Sequence, residues 1–137
     1  MRAINVCLIL IIAMAHSSLA KKFSKCQLLA QLRHHKVPEN ELATWLCIAQ
    51  HESGLNSAAR SPRNTDGSYD NGIFQINNRY WCKDVGVGGD CHVNCAALRD
   101  DNLDDDIKCA VHIKKVQGFG AWSTLKYCKN SSALPKC

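Results

Sequence analysis

The sequence has no apolar run long enough to cross a bilayer. Its longest, residues 6–15, falls short of the roughly 20 residues that a spanning helix needs. There are no internal repeats, no low-complexity tracts and no interdomain linker, which excludes solenoids, arrays and a two-domain layout. The close pair Cys91-x-x-x-Cys95 has no second close cysteine pair and no suitably spaced histidine pair, so zinc coordination is excluded. His34 and His35 are adjacent and point apart on a helix, so they do not supply one. No nucleic-acid motif or basic-aromatic run is present, and no basic amphipathic helix suited to a membrane surface.

What remains is room for one domain and one sizeable core in 137 residues. Arg2, the short apolar run and Ser18-Leu19-Ala20 have the order of a secretory leader, residues 1–20, with cleavage expected before Lys21. A secreted protein with no membrane anchor is therefore expected. Cys7 leaves with the leader, and the remaining eight cysteines read as four disulfides in any of 105 connectivities. Loss of Arg2 leaves 16 Lys and Arg against 12 Asp and Glu, a net charge of +4. Five of those acids lie within residues 100–106, so the rest of the surface is more basic than the total suggests. Such a surface suits anionic polymers such as bacterial envelopes.

The pattern predicts helices with a small sheet between them. Ser24 and Gln27 have capping-box spacing before Cys26, Leu29 and Leu32, and Pro38 restarts the chain after His34-His35-Lys36. In the second helix Leu42, Trp45, Leu46 and Ala49 form one stripe, closed by Glu52 and ended by Gly54. Residues 60–78 read as an antiparallel sheet with turns at Asp66-Gly67 and Asn71-Gly72. A glycine-rich, disulfide-dependent loop covers residues 80–95. A third helix is expected from about Leu103 to Gln117 with Ile107, Ala110 and Val111 inward, and a last short helix from Ala121 to Cys128.

Two carboxyls stand out by their settings. Glu52 continues an apolar stripe, where desolvation raises a carboxyl's pKa. Asp70 lies in Asn64-Thr65-Asp66-Gly67-Ser68-Tyr69-Asp70-Asn71-Gly72, a polar, turn-rich run whose donors would keep it ionised. One protonated and one ionised carboxyl across a cleft is the pairing that cleaves glycosidic bonds.

With His51-Glu52-Ser53, Asn64-Thr65-Asp66-Gly67-Ser68, Gly72-Ile73-Phe74-Gln75-Ile76-Asn77, Tyr80-Trp81-Cys82 and the order of its eight cysteines, residues 21–137 resemble the c-type lysozymes, of invertebrate type. The resemblance implies an α+β fold: a mainly helical lobe, a small β lobe and a cleft between them. It implies an enzyme that needs no cofactor for catalysis and hydrolyses the β-1,4 link between N-acetylmuramic acid and N-acetylglucosamine in peptidoglycan; a monomer is the default for so small a disulfide-rich chain. Glu52 resembles the family's general acid and Asp70 its nucleophile or electrostatic stabiliser; this division of roles is the family's own. Asn64, Gln75, Asn77, Tyr80, Trp81, Ala121 and Trp122 match its substrate-binding positions. The implied disulfides are Cys26 with Cys137, Cys47 with Cys128, Cys82 with Cys95, and Cys91 with Cys109.

Some positions depart from the family pattern. Tyr80 replaces a commoner tryptophan, His51 and Gly54 differ beside the acid, and the Cys82-to-Cys91 and Val116-to-Ala121 intervals are short. Gln117 is nearest to where an acidic sugar-binding residue is usual, so the outer subsites differ. The run at 100–106 also resembles the calcium loop of α-lactalbumins and calcium-binding lysozymes. Asp100, Asp105 and Asp106 match its carboxylate ligands, and Ala97 and Asn102 its carbonyl donors, for a structural calcium. An acidic helix N-terminus is the alternative use of those residues. Asn130-Ser131-Ser132 is a glycosylation sequon. The rival functions are an α-lactalbumin-like partner-binding role without catalysis and a membrane-active cationic antimicrobial. Neither accounts for both Glu52 and Asp70.

Overall fold

The structure, a computed structural model, describes residues 21–137; the expected leader lies outside the described residues. From Lys21 the chain is tied down at once: Phe23 donates its N–H to the Leu55 carbonyl (2.9 Å), and Ser57 donates its N–H to that of Lys21 (3.0 Å). Helix α1 (Lys25–His34) starts with both halves of the Ser24/Gln27 capping box and buries Leu28, Leu29 and Leu32. A 3-10 turn (Glu39–Glu41) leads into α2 (Leu42–Ser53), which stops at Gly54 in the left-handed region. Leu42, Trp45, Leu46 and Ala49 of α2 are all buried. Helix α3 (Asp104–Gln117) follows a 3-10 turn at Cys95–Leu98, and its last-turn Lys114 and Lys115 suit the helix dipole.

The core draws buried side chains from α1, α2 and α3, and an aromatic cluster ties it to the β lobe. Trp45 makes edge-to-face contacts with Phe74 (5.4 Å), Phe119 (4.9 Å) and Trp122 (5.2 Å). The four disulfides join Cys26 to Cys137, Cys47 to Cys128, Cys82 to Cys95 and Cys91 to Cys109, the pairing that the family resemblance implies. No helix of the described residues is long and apolar enough to cross a membrane.

Three details differ from the pattern-based expectations. The sheet is reduced to two short antiparallel strands, β1 (Asp70–Asn71) and β2 (Ile76–Asn77), with Asp70 opposite Asn77. Beside them side chains complete the pairing: Ser61 donates its N–H to the Asp70 carbonyl (3.0 Å) while its Oγ accepts the Asp70 N–H (2.9 Å), and Asn78 donates its N–H to the Tyr69 carbonyl (3.0 Å) while its Oδ1 accepts that of Tyr69 (2.9 Å). Val111 is 41% exposed, at the edge of the α3 stripe, and Ile113 takes the inward place. The last helix is two 3-10 segments, Phe119–Ala121 and Ser123–Tyr127, broken at an extended Trp122 (φ −100°, ψ 118°). The break turns the indole inward, where Nε1 donates to the Phe74 carbonyl (2.9 Å).

Candidate active site

The end of α2 and the β1–β2 hairpin form opposite walls of a cleft of about 280 Å³. Glu52, Asp70, Gln75, Asn77, Trp81 and Trp122 line it, together with Ala121, Ile76, Ile113, Gln117 and Ser123. The Glu52 wall is fixed to the opposite lobe by its neighbour: Ser53 Oγ donates to the Ile73 carbonyl (2.7 Å) across the lobes. Gly72, between β1 and Ile73, has φ +76°, and a Cβ there would stand 1.7 Å from the Leu98 carbonyl oxygen. Only glycine lets the hairpin sit that close.

The two carboxyls sit in different surroundings. Burial pushes the Glu52 carboxyl above the usual glutamate range; a hydrogen bond from Thr124 Oγ1 (3.2 Å) pulls it down, and the charge of Asp70 raises it again. Asp70 instead accepts two side-chain amide N–H groups, from Asn77 to Oδ1 (2.8 Å) and from Asn64 to Oδ2 (3.3 Å). Both asparagines also donate to Ser68 Oγ, and Ser68 donates to Asp66. Hydrogen bonds from the Ser68 hydroxyl and backbone, then from Arg79, hold Asp66 down at about 2.

Of the residues matched to substrate contact, Gln75, Asn77, Trp81, Ala121 and Trp122 line the cleft. Asn64 is placed beside Asp70 as its hydrogen-bond donor. Gln75 has φ +51°, and its Nε2 donates to the Gly72 (2.9 Å) and Ala59 (3.2 Å) carbonyls, so its amide secures the hairpin. Tyr80 is 59% exposed, with the Arg79 guanidinium 5.3 Å from the ring centre. Ser53 and Ser68 lie within the motifs quoted above, but neither they nor Thr124 show a role in the sequence. Hydroxyls have no spacing signature, and each acts here on a group distant in sequence or across a turn.

The acidic loop lies behind the hairpin. Asp106 is fully buried, and neither carboxylate oxygen has a hydrogen-bond partner. Burial, then the charge of Asp100, pushes its pKa well above the usual range, with Asp105 adding to it. Asn102 donates its N–H to Asp100 Oδ1 (3.0 Å), and Asp104 donates its own to Asn102 Oδ1 (2.9 Å). An orphaned, buried carboxylate that feels the charges of Asp100 and Asp105 has the hard-oxygen chemistry that a calcium ion would take. Among the described residues the one close group of three potential ligand atoms is Cys47, His51 and Cys128, and it is no metal site, because its two sulfurs are joined to each other.

Comparison with known proteins places this architecture. The model of the C-type lysozyme/alpha-lactalbumin family matches residues 21–137. Lysozyme 1 of Musca domestica is 42% identical over 129 residues, 92% of each chain. Lysozyme C of Equus asinus is 40% identical over 127 residues, 85% of this chain and 98% of the other. The crystal structure of a lysozyme from Equus asinus superposes with a TM-score of 0.73 at 39% identity, covering 82% of this chain and 92% of that one. That of a lysozyme from Litopenaeus vannamei gives 0.73 at 35%, with the same coverage. The chain belongs to the C-type lysozyme/alpha-lactalbumin family, on the lysozyme side of it.

Proposed function

We propose that this enzyme is a secreted, retaining muramidase that cleaves the β-1,4 link between N-acetylmuramic acid and N-acetylglucosamine in peptidoglycan. Glu52 acts as general acid and Asp70 as nucleophile or electrostatic stabiliser. The observation that carries this is the pair itself: two carboxyls on one cleft, one raised by burial and one held by two amide N–H groups.

In the first step Glu52 gives its proton to the glycosidic oxygen as the bond from that oxygen to the anomeric carbon breaks. The Asp70 carboxylate meets the positive charge that develops on the sugar ring, or bonds to its anomeric carbon. Water then attacks that carbon from the face the leaving group vacated, and its proton returns to Glu52. Trp81 and Trp122 supply flat apolar faces for sugar rings, with Ala121 beside them. Asn64 and Asn77 serve chiefly to hold Asp70, since their amide N–H groups are committed to it and to Ser68.

Calcium is structural in this scheme, and no catalytic step passes through it. Asp100, Asp105 and Asp106 would hold it with the carbonyls of Ala97 and Asn102, and its charge would offset the buried Asp106 carboxylate. A purely non-catalytic calcium-binding role would leave the Glu52–Asp70 cleft without a use. The leader would be removed before Lys21, and the protein would act outside the cell, on bacteria in defence or in digestion.

The reaction is tested by proton NMR of products released from purified peptidoglycan. The β anomer is expected first, followed by mutarotation. The α anomer appearing first would overturn the retaining mechanism, and release of no reducing ends at any pH would overturn the activity.

A further inference from the structure

Trp81 lines the cleft, and its setting away from the sugar space is unusually well built. The backbone on either side of it is gripped by residues 89–91: Asp90 donates its N–H to the Tyr80 carbonyl (2.8 Å) and Cys91 donates its own to that of Trp81 (3.0 Å). Gly89 approaches so closely that a Cβ there would stand 2.3 Å from the Trp81 carbonyl carbon. This strap is joined to α3 twice, once by the Cys91–Cys109 disulfide and once, a turn further along, by His112 Nε2 and Asp90 Oδ2 at 2.8 Å. The same His112 ring meets the Trp81 ring nearly at right angles (81°, centroids 6.2 Å apart). The next residue, Ile113, lines the cleft beside Trp81.

We infer that Asp90 and His112 form a positioning pair for Trp81: Asp90 orients the imidazole, and the imidazole edge fixes the indole plane that meets the sugar. Neither residue touches the reacting atoms. This rests on the cleft binding sugar, as proposed above, and goes beyond it by naming what sets the geometry of that contact. Two backbone hydrogen bonds hold the main chain at Trp81 and the disulfide ties the strap to α3, while the imidazole edge is the contact that reaches the ring itself. The aromatic edge and its hydrogen bond are contributed by side chains that a core role does not require, since both are partly exposed. A ring held in plane loses less freedom when a sugar stacks on it, so the pair acts on binding more than on bond breaking.

The test is a mutant cycle on the mature protein with soluble peptidoglycan fragments, alongside NMR of the Trp81 indole N–H. His112→Ala and Asp90→Asn should each raise KM by roughly three- to tenfold, the worth of an oriented aromatic contact, with kcat nearly unchanged. In a Trp81→Ala background the same substitutions should add nothing, because their effect passes through that ring. His112→Phe keeps a ring edge and loses the hydrogen bond, and it should fall between wild type and His112→Ala. An unchanged KM, or an equal further loss in the Trp81→Ala background, would overturn the inference. If the wild-type chain bound no fragments, the sugar-cleft assignment itself would fail. The indole resonance would still decide the positioning: a shift in both single variants supports it, and an unmoved resonance rejects it.

Discussion

Glu52 is poised by three influences, and two of them, the Thr124 bond and the Asp70 charge, can be removed singly. Burial raises its pKa, Thr124 lowers it and the Asp70 charge raises it. A general acid works only while protonated, so its pKa sets the alkaline limb of the activity profile. Thr124→Val removes a bond that favours the ionised form, so the pKa rises and the alkaline limb of kcat should move to higher pH. Asp70→Asn removes a repulsive charge, so Glu52 should titrate lower, with kcat reduced by a factor on the order of a hundred or more. Titration of Glu52 by carbon NMR in both variants checks the two signs, and movement of both in one direction would refute this balance. The partly buried setting of Glu52 was legible in the sequence, because a carboxyl at the end of an apolar stripe is a local pattern. Thr124 was not, since the chain brings it to Glu52 from 72 positions away.

Among the elements, α2 and α3 do different work. Helix α2 could be read from its stripe and its terminating glycine, and Glu52 falls in its last turn. Helix α3 could be read almost as well, but the inward place of Ile113 over Val111, two positions away, depends on how α3 packs, which periodicity leaves open. The β lobe was least legible: its turns are local, yet Ser61 and Asn78 side chains satisfy backbone that a longer ladder would have used. The first turn of α3 also carries the acidic loop. With calcium well above its dissociation constant the melting temperature should exceed that in chelator by about 10 °C. Asp106→Asn should reverse the comparison: it raises Tm in chelator, where it removes an uncompensated buried carboxylate, and lowers it in calcium, where it removes a ligand. Calorimetry with and without calcium reads both, and an identical Tm in the two solutions would count against the site.

For the molecule as a whole, two disulfides bear on the cleft: Cys47–Cys128 joins the helix that carries Glu52 to the chain's end, and Cys91–Cys109 joins the loop after Trp81 to α3. Cys47–Cys128 fastens α2 to the end of the 3-10 segment that carries Thr124. Replacing both cysteines by serine should cost roughly 2–5 kcal/mol of stability, measured by denaturant unfolding. It should also loosen the Thr124–Glu52 bond, so Glu52 titrates higher than in the parent. The eight-cysteine pattern told of four bridges, but spacing alone left 105 pairings open; the family resemblance, rather than any local rule, singled out the one observed. The two-lobe plan follows from the same pairing, since three bridges reach across long stretches of chain or join the loop at residues 82–95 to its neighbours. The proposed function needs Glu52 and Asp70 to hydrolyse peptidoglycan together. It is tested most directly by clearing of a suspension of peptidoglycan-rich bacteria, with the mature protein and its Glu52→Gln variant side by side. Clearing by the parent and none by the correctly folded variant is the expected result. Equal clearing by both would contradict it and would mean that the cells are lost to membrane damage.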